Sequence, residues 1–221
     1  MPLNASKAQT EAGKAIPPIE DGTYAARLVR VVDLGVQVNP FDSEKRANEI
    51  VVTFELMDEF LTNEDGNEDP EKPRVMSTFV KLYRNADRGK NVEYLRALDP
   101  SGQAEGDWGR LQEQRAGVLL NIITKEKNGK VHNNIDSMSP LMKGMSLRDC
   151  IVEGYVFDLD EPDREVFEAL PDWIKEKIES RERGDNLAPT TYGTTEAQSM
   201  SAQAAEEEVG STPAGSNDVP W

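Results

Sequence analysis

The sequence predicts a mainly β fold with helical additions, and three observations carry that expectation. Apolar and polar residues alternate with a period of two in several stretches between Ile16 and Asp160. An Asn128-Gly129 pair separates two of those stretches. Helix-like spacing appears in one short segment around Leu95 and again beyond Asp160. A period of two is what a half-buried strand imposes, because successive side chains point to opposite faces.

Taken in order, "TYAARLVRVVDL" places Tyr24, Ala26, Leu28 and Val32 on one side of a first strand. In "NEIVVTFELMD", Ile50, Val52, Phe54 and Leu56 alternate with Val51, Thr53, Glu55 and Met57, which is a half-buried second strand. "RVMSTFVKLY" gives a third, with Met76, Val80 and Leu82 on its core face. "NVEYLRAL" puts Val92, Leu95 and Leu98 along one side of a short helix. In "AGVLLNIITKEKNGKVHNNIDSM", Val118, Leu120 and Ile122 lead into an Asn-Gly pair, the strongest short-range signal for a hairpin. Three strands, a helix and a two-strand hairpin is the element order of an OB-fold, a five-stranded Greek-key barrel that binds oligonucleotides. Other small barrels and α+β sheets share that order.

Composition divides the chain into zones. Residues 1–15 are small and polar and read as a disordered arm, and residues 16–160 hold the barrel. Residues 161–185 form a helical appendage, read as a hairpin packed on the barrel. There Asp160 caps a helix with Pro162 in its first turn, and Pro171 ends it and starts another. Val166, Phe167, Leu170, Trp173, Ile174 and Ile178 make its apolar side, and Lys177, Arg181 and Arg183 fall in the last turn. Residues 186–221 contain Glu196, Glu206, Glu207, Glu208 and Asp218 but no Lys or Arg, in a Gly-, Ser-, Thr- and Pro-rich background that signals disorder.

Over 221 residues the net charge is −16 and the hydrophobic fraction 37%, which suits one modest core with disordered segments attached. Such a charge, taken globally, argues against a nucleic-acid ligand. Cys150 and His132 are the only cysteine and histidine, so neither an internal disulfide nor a Cys/His zinc site can form. A reducing cytoplasm, here that of a host cell, is the expected location. The opening "MPLNASKAQTEAGK" lacks an apolar signal core, and no run of eighteen apolar residues exists, so no membrane association is expected.

The local chemistry points the other way from the net charge. On the third strand Phe79, Lys81 and Tyr83 should line up as aromatic, cation, aromatic on the face opposite the core. Single-stranded nucleic acid is held by that mixture: rings on which bases stack, with cations beside the phosphates. Residues 72–96 carry Lys72, Arg74, Lys81, Arg84, Arg88, Lys90 and Arg96 against only Asp87 and Glu93, and the hairpin adds Lys125, Lys127 and Lys130 against Glu126. The candidate contacts for a single strand are Arg74, Phe79, Lys81, Tyr83, Arg84, Arg88, Lys90, Lys125, Lys127 and Lys130. If the third strand is covered on both faces, Phe79 and Tyr83 are instead core. Trp108 in "GDWGRL" either stacks on a base or closes the barrel.

The acidic run "DEFLTNEDGNEDPEK" lacks the 1, 3, 5 ligand spacing and the sixth-position glycine of a calcium loop, and reads as a solvated, mobile strand connection. No phosphate-binding Gly-rich loop, no Gly-x-Ser-x-Gly elbow and no nucleophile for His132 is evident. No catalytic residue, metal or cofactor is therefore expected.

The stretches "PIEDGTYAARLVRVVDLGVQ", "NEIVVTFELMDEF", "YLRALDP", "GDW" and "VFDLDEPDREVFEALPDWIKEKI" together resemble phage single-stranded DNA-binding proteins. The resemblance implies an OB barrel that coats single strands during replication and recombination. It further implies recruitment of a replicative DNA polymerase, helicase-primase or recombination proteins, while a homodimer stays open. Proteins of that kind commonly end in an acidic tail with a terminal aromatic, often Asp-x-Pro-Phe. "NDVPW" sets Asp218, Val219, Pro220 and Trp221 in matching places, with Trp in place of Phe and the main acidic block further back. A coil of residues 186–221 spans about 30–36 Å, against a radius of gyration of about 15 Å for the body. Such a tail can reach the basic groove, compete with DNA there, and on displacement present Trp221 to a partner. Two other classes compete with this reading: an acidic DNA mimic that occupies another protein's DNA site, and a metal-dependent nuclease.

Overall fold

The computed structural model describes residues 16–39, 42–63, 65–82, 89–127 and 129–181. The chain divides into a unit of residues 1–183 and a unit of residues 184–221. The arm at 1–15 and the tail at 186–221 lie outside the described residues.

Six strands and four helices follow one another as β1 (Gly22–Asn39), β2 (Asp42–Thr62), β3 (Glu68–Leu82), α1 (Lys90–Leu98), α2 (Trp108–Glu113), β4 (Gly117–Lys127), β5 (Lys130–Pro140), β6 (Tyr155–Phe157), α3 (Arg164–Ala169) and α4 (Asp172–Glu179). The fold is mainly β. Its sheet runs β3-β2-β1-β4-β5 with every neighbouring pair antiparallel, and β6 joins β1 in parallel. The end strands β3 and β5 approach each other, and α1 packs against both of them and against β4.

The expected alternation holds on β2, β4 and the inner side of β3. Ile50, Val52, Phe54, Leu56, Val80, Val118, Leu120 and Ile122 all belong to the main core, with Met76 and Leu82 packed against it. Lys127 pairs with Lys130, so β4 and β5 form the hairpin that the Asn-Gly signal predicts. Its Gly129 adopts φ 71°, a left-handed conformation open to glycine.

β1 departs from the simple alternation. Its register with β2 shifts between Leu28 and Arg30, and Val31 rather than Val32 continues the core row begun by Ala26 and Leu28. One inserted residue reverses which face each later side chain takes. Val29, Val32 and Leu34 point to the outer side and are nonetheless buried. α4 packs against β1 and α3 against β6, and they contribute the buried Phe167, Leu170, Ile174 and Ile178. β6 itself pairs with Arg30 to Val32, just beyond where the β4 ladder on β1 ends at Arg27. It therefore covers a strand edge that would otherwise lie open. β2 is covered on both faces, since Val51, Thr53, Glu55 and Met57 are buried as well as the core row.

Several local expectations shift for identifiable reasons. The buried side of α1 is Tyr94, Ala97 and Leu98, while Val92 faces a groove beside Lys90 and Arg96. Trp108 opens α2, is buried in the core, and donates its indole N–H to Asn91 Oδ1 at 3.1 Å. Its ring is thus packed in the core and not presented as a stacking surface. Asp163 rather than Asp160 caps α3, accepting from the N–H groups of Glu165 and Val166, so Pro162 precedes the cap. Pro171 does separate two helices: Leu170 before it is forced to an extended ψ of 147°. Arg183 lies outside the described residues. The acidic run is largely strand, with Leu61 paired to Asp69 and Thr62 to Glu68 across a turn that Asn63 Oδ1 ties to the Asp65 and Asn67 N–H groups.

Candidate nucleic-acid interface

Because side chains alternate along β3, fixing Val80 in the core sends Val75, Ser77, Phe79 and Lys81 to the outer face. Their partners across the ladder on β2 are Glu55, Thr53, Val51 and Glu49. Thr53 and Ser77 bond through their hydroxyls at 2.9 Å, which pins the register midway. Val131 at the start of β5 lines a 280 Å³ cleft with Val75, His132 and the 16–19 segment. Three apolar side chains along this side stay open to solvent, Val75 at 42%, Phe79 at 44% and Trp173 at 46%, and Val131 in the cleft is 49% exposed.

The spacing puts Trp173 on the apolar side of an appendage packed on the barrel, and the structure leaves it 46% exposed instead. Ile174 and Ile178 anchor α4 to the body, and Trp173 lies edge-on to Phe79 with ring centroids 5.9 Å apart at 66°. One turn further on, Lys177 sets its ammonium 5.1 Å from the Phe79 ring centroid. Glu49 lies between two lysines, 3.5 Å from Lys81 Nζ and 3.8 Å from Lys177 Nζ. The Gln37 amide donates to the carbonyls of Leu34 and Lys177 at 2.7 and 3.0 Å, fixing the end of α4 against β1. The result is an aromatic pair flanked by two cations, with one carboxylate holding the cations in place.

The other sequence candidates fall into three groups. Lys125 is exposed on β4 opposite His132, and Lys90 is exposed at the start of α1 with its ammonium 5.9 Å from the Tyr94 ring centroid. Arg74 belongs to β3 but faces away from the Phe79 row. Its guanidinium donates to the carbonyls of Phe60 at 3.1 Å and Pro17 at 2.6 Å, tying the 16–19 segment to the sheet. Tyr83, Arg84, Arg88 and the tail residues Asp218, Val219, Pro220 and Trp221 lie outside the described residues. So do the side chains of Lys127 and Lys130, whose backbones close the hairpin.

Much of the positive charge serves the scaffold. Arg27 donates to the carbonyls of Arg115, Leu147 and Arg148, and Arg115 donates to that of Val29. Arg148 meets the fully buried Glu55 at 2.5 Å and also donates to the carbonyls of Leu56 and Met57. Glu55 accepts in addition from the N–H groups of Ile151 and Val152, so one carboxylate fastens residues 148–152 across the outer side of β2. Burial first, and the Glu55 charge behind it, push the nearby Cys150 thiol above its ordinary pKa. Among the described residues no group of three His, Cys, Asp or Glu side chains could hold a metal ion. No helix among them is long and apolar enough to cross a membrane.

No model of a known protein family matches this chain, and no curated protein matches it significantly.

Proposed function

We propose that the protein binds single-stranded DNA without regard to sequence, coating strands exposed during phage replication and recombination. The observation that carries this reading is the exposed Phe79–Trp173 pair flanked by Lys81 and Lys177 on the outer side of β3. Open rings accept any base, because every base has a π-face, and neighbouring ammoniums meet the phosphates. The strand order, the approach of β3 to β5 and the position of α1 between them support reading the sheet as an OB barrel. On that reading the acidic tail competes weakly for the same face. Once displaced, Asp218 to Trp221 recruit a polymerase, helicase-primase or recombination protein that offers an apolar pocket beside a cation.

The net charge of −16 favours a second reading, an acidic protein that mimics DNA toward another protein. Immobilised single-stranded DNA separates the two. The full chain should be retained and elute with salt, and a chain ending at residue 185 should elute at higher salt. A mimic would pass straight through.

A further inference from the structure

Trp173 and Lys177 come from a helix that the β-sheet does not need in order to complete its own ladder, and both are turned to the Phe79 row. The Phe79 ring is in contact with both the Lys177 ammonium and the indole. An edge-type contact covers an edge of one ring and a face of the other, so Phe79 leaves at least one face of the indole uncovered. It is the larger ring of the pair and is 46% exposed. The lysines stand at 3.5 and 3.8 Å from Glu49, beyond the 2.7–2.9 Å of a charge-assisted hydrogen bond. Their N–H groups are held in the field of a carboxylate without being committed to it. A backbone phosphate carries the same net charge as that carboxylate and likewise offers only acceptor oxygens.

We infer that α4 forms half of the single-strand site. Trp173 supplies the open stacking platform, and Glu49 is a positioning residue that holds Lys81 and Lys177 where a backbone phosphate then takes them over. This inference rests on the proposed single-strand binding and adds the residues that perform it. It also predicts an inhibitory side to Glu49, because its charge opposes the phosphate it makes room for.

The test uses the full chain and a fluorescent oligo-dT, reading affinity by anisotropy and Trp emission in parallel. Trp173→Ala should weaken binding roughly five- to a hundredfold. Trp173→Phe should keep most of the affinity while losing most of the emission quench. Lys177→Gln should weaken binding and flatten the salt dependence by about one phosphate. Glu49→Gln should tighten binding several-fold at low salt, which a purely structural carboxylate would not do. Wild-type binding that Phe79→Ala weakens, with affinity unmoved in Trp173→Ala and Glu49→Gln, would overturn the inference and leave the β3 reading standing. Absence of wild-type binding would overturn both.

Discussion

At the residue scale, the fully buried Glu55 and the half-buried Asp33 show how a carboxylate can stabilise or burden the same sheet. Glu55 is fully buried, yet it is met by the Arg148 guanidinium and two backbone N–H groups. Removing one partner of such a pair strands the other and typically costs about 3–5 kcal/mol. Glu55→Ala should therefore lower the unfolding free energy read from urea melts by an amount in that range and release residues 148–152 to proteolysis. Asp33 accepts the Gly35 N–H at 2.8 Å at a register shift of β1. Burial first, with Asp158 and Asp160 behind it, pushes its carboxyl above the ordinary range against the pull of that N–H. A raised carboxyl binds its proton more readily folded than unfolded. Its contribution to stability is thus greatest below the unfolded value of about 3.9 and declines as pH rises through the folded one. Asp33→Asn keeps an acceptor for Gly35 and removes that decline. Urea melts should find it more stable than wild type at pH 7, with the gap closing toward pH 4.

At the scale of elements, legibility followed the regularity of the backbone. β2, β4 and the inner row of β3 were readable because unbroken strands preserve a period of two from end to end. On β1 the alternation fails past Leu28 because the inserted residue leaves no compositional mark, and Val29, Val31 and Val32 suit either face. The three-residue β6 and six-residue α2 are too short for any periodicity, and tertiary contacts fix both. Phe79 and Lys81 were legible as an outward pair by alternation alone, whereas Trp173 was not. Its spacing fits the apolar stripe of α4, and only the docking of that helix turns it to Phe79. That docking depends on Ile174 and the fully buried Ile178. Deleting such a side chain usually costs about 2–5 kcal/mol. Ile178→Ala should destabilise the fold within that range in denaturant melts and, by loosening α4, weaken oligonucleotide binding as well.

At the scale of the whole molecule, the net charge of −16 conceals a division of labour among the cations. Arg27, Arg30, Arg74, Arg115 and Arg148 direct their guanidiniums at main-chain carbonyls, where planar forks of donors suit fixed acceptors. The aromatic pair is instead flanked by lysines, Lys81 and Lys177, and Lys125 stands exposed on the hairpin. Lysine ammoniums adapt to phosphates of any spacing, as sequence-independent binding requires. Stacking on Trp173, held in place by Phe79, would then supply affinity that salt does not remove. The most direct measurement is a titration of fluorescent oligo-dT and a matched duplex with the full chain at several salt concentrations. The account predicts preference for the single strand, with log K falling against log salt at a slope of about −2 or steeper if three lysines each meet a phosphate. Equal affinity for duplex, or no binding of either at low salt, would contradict it.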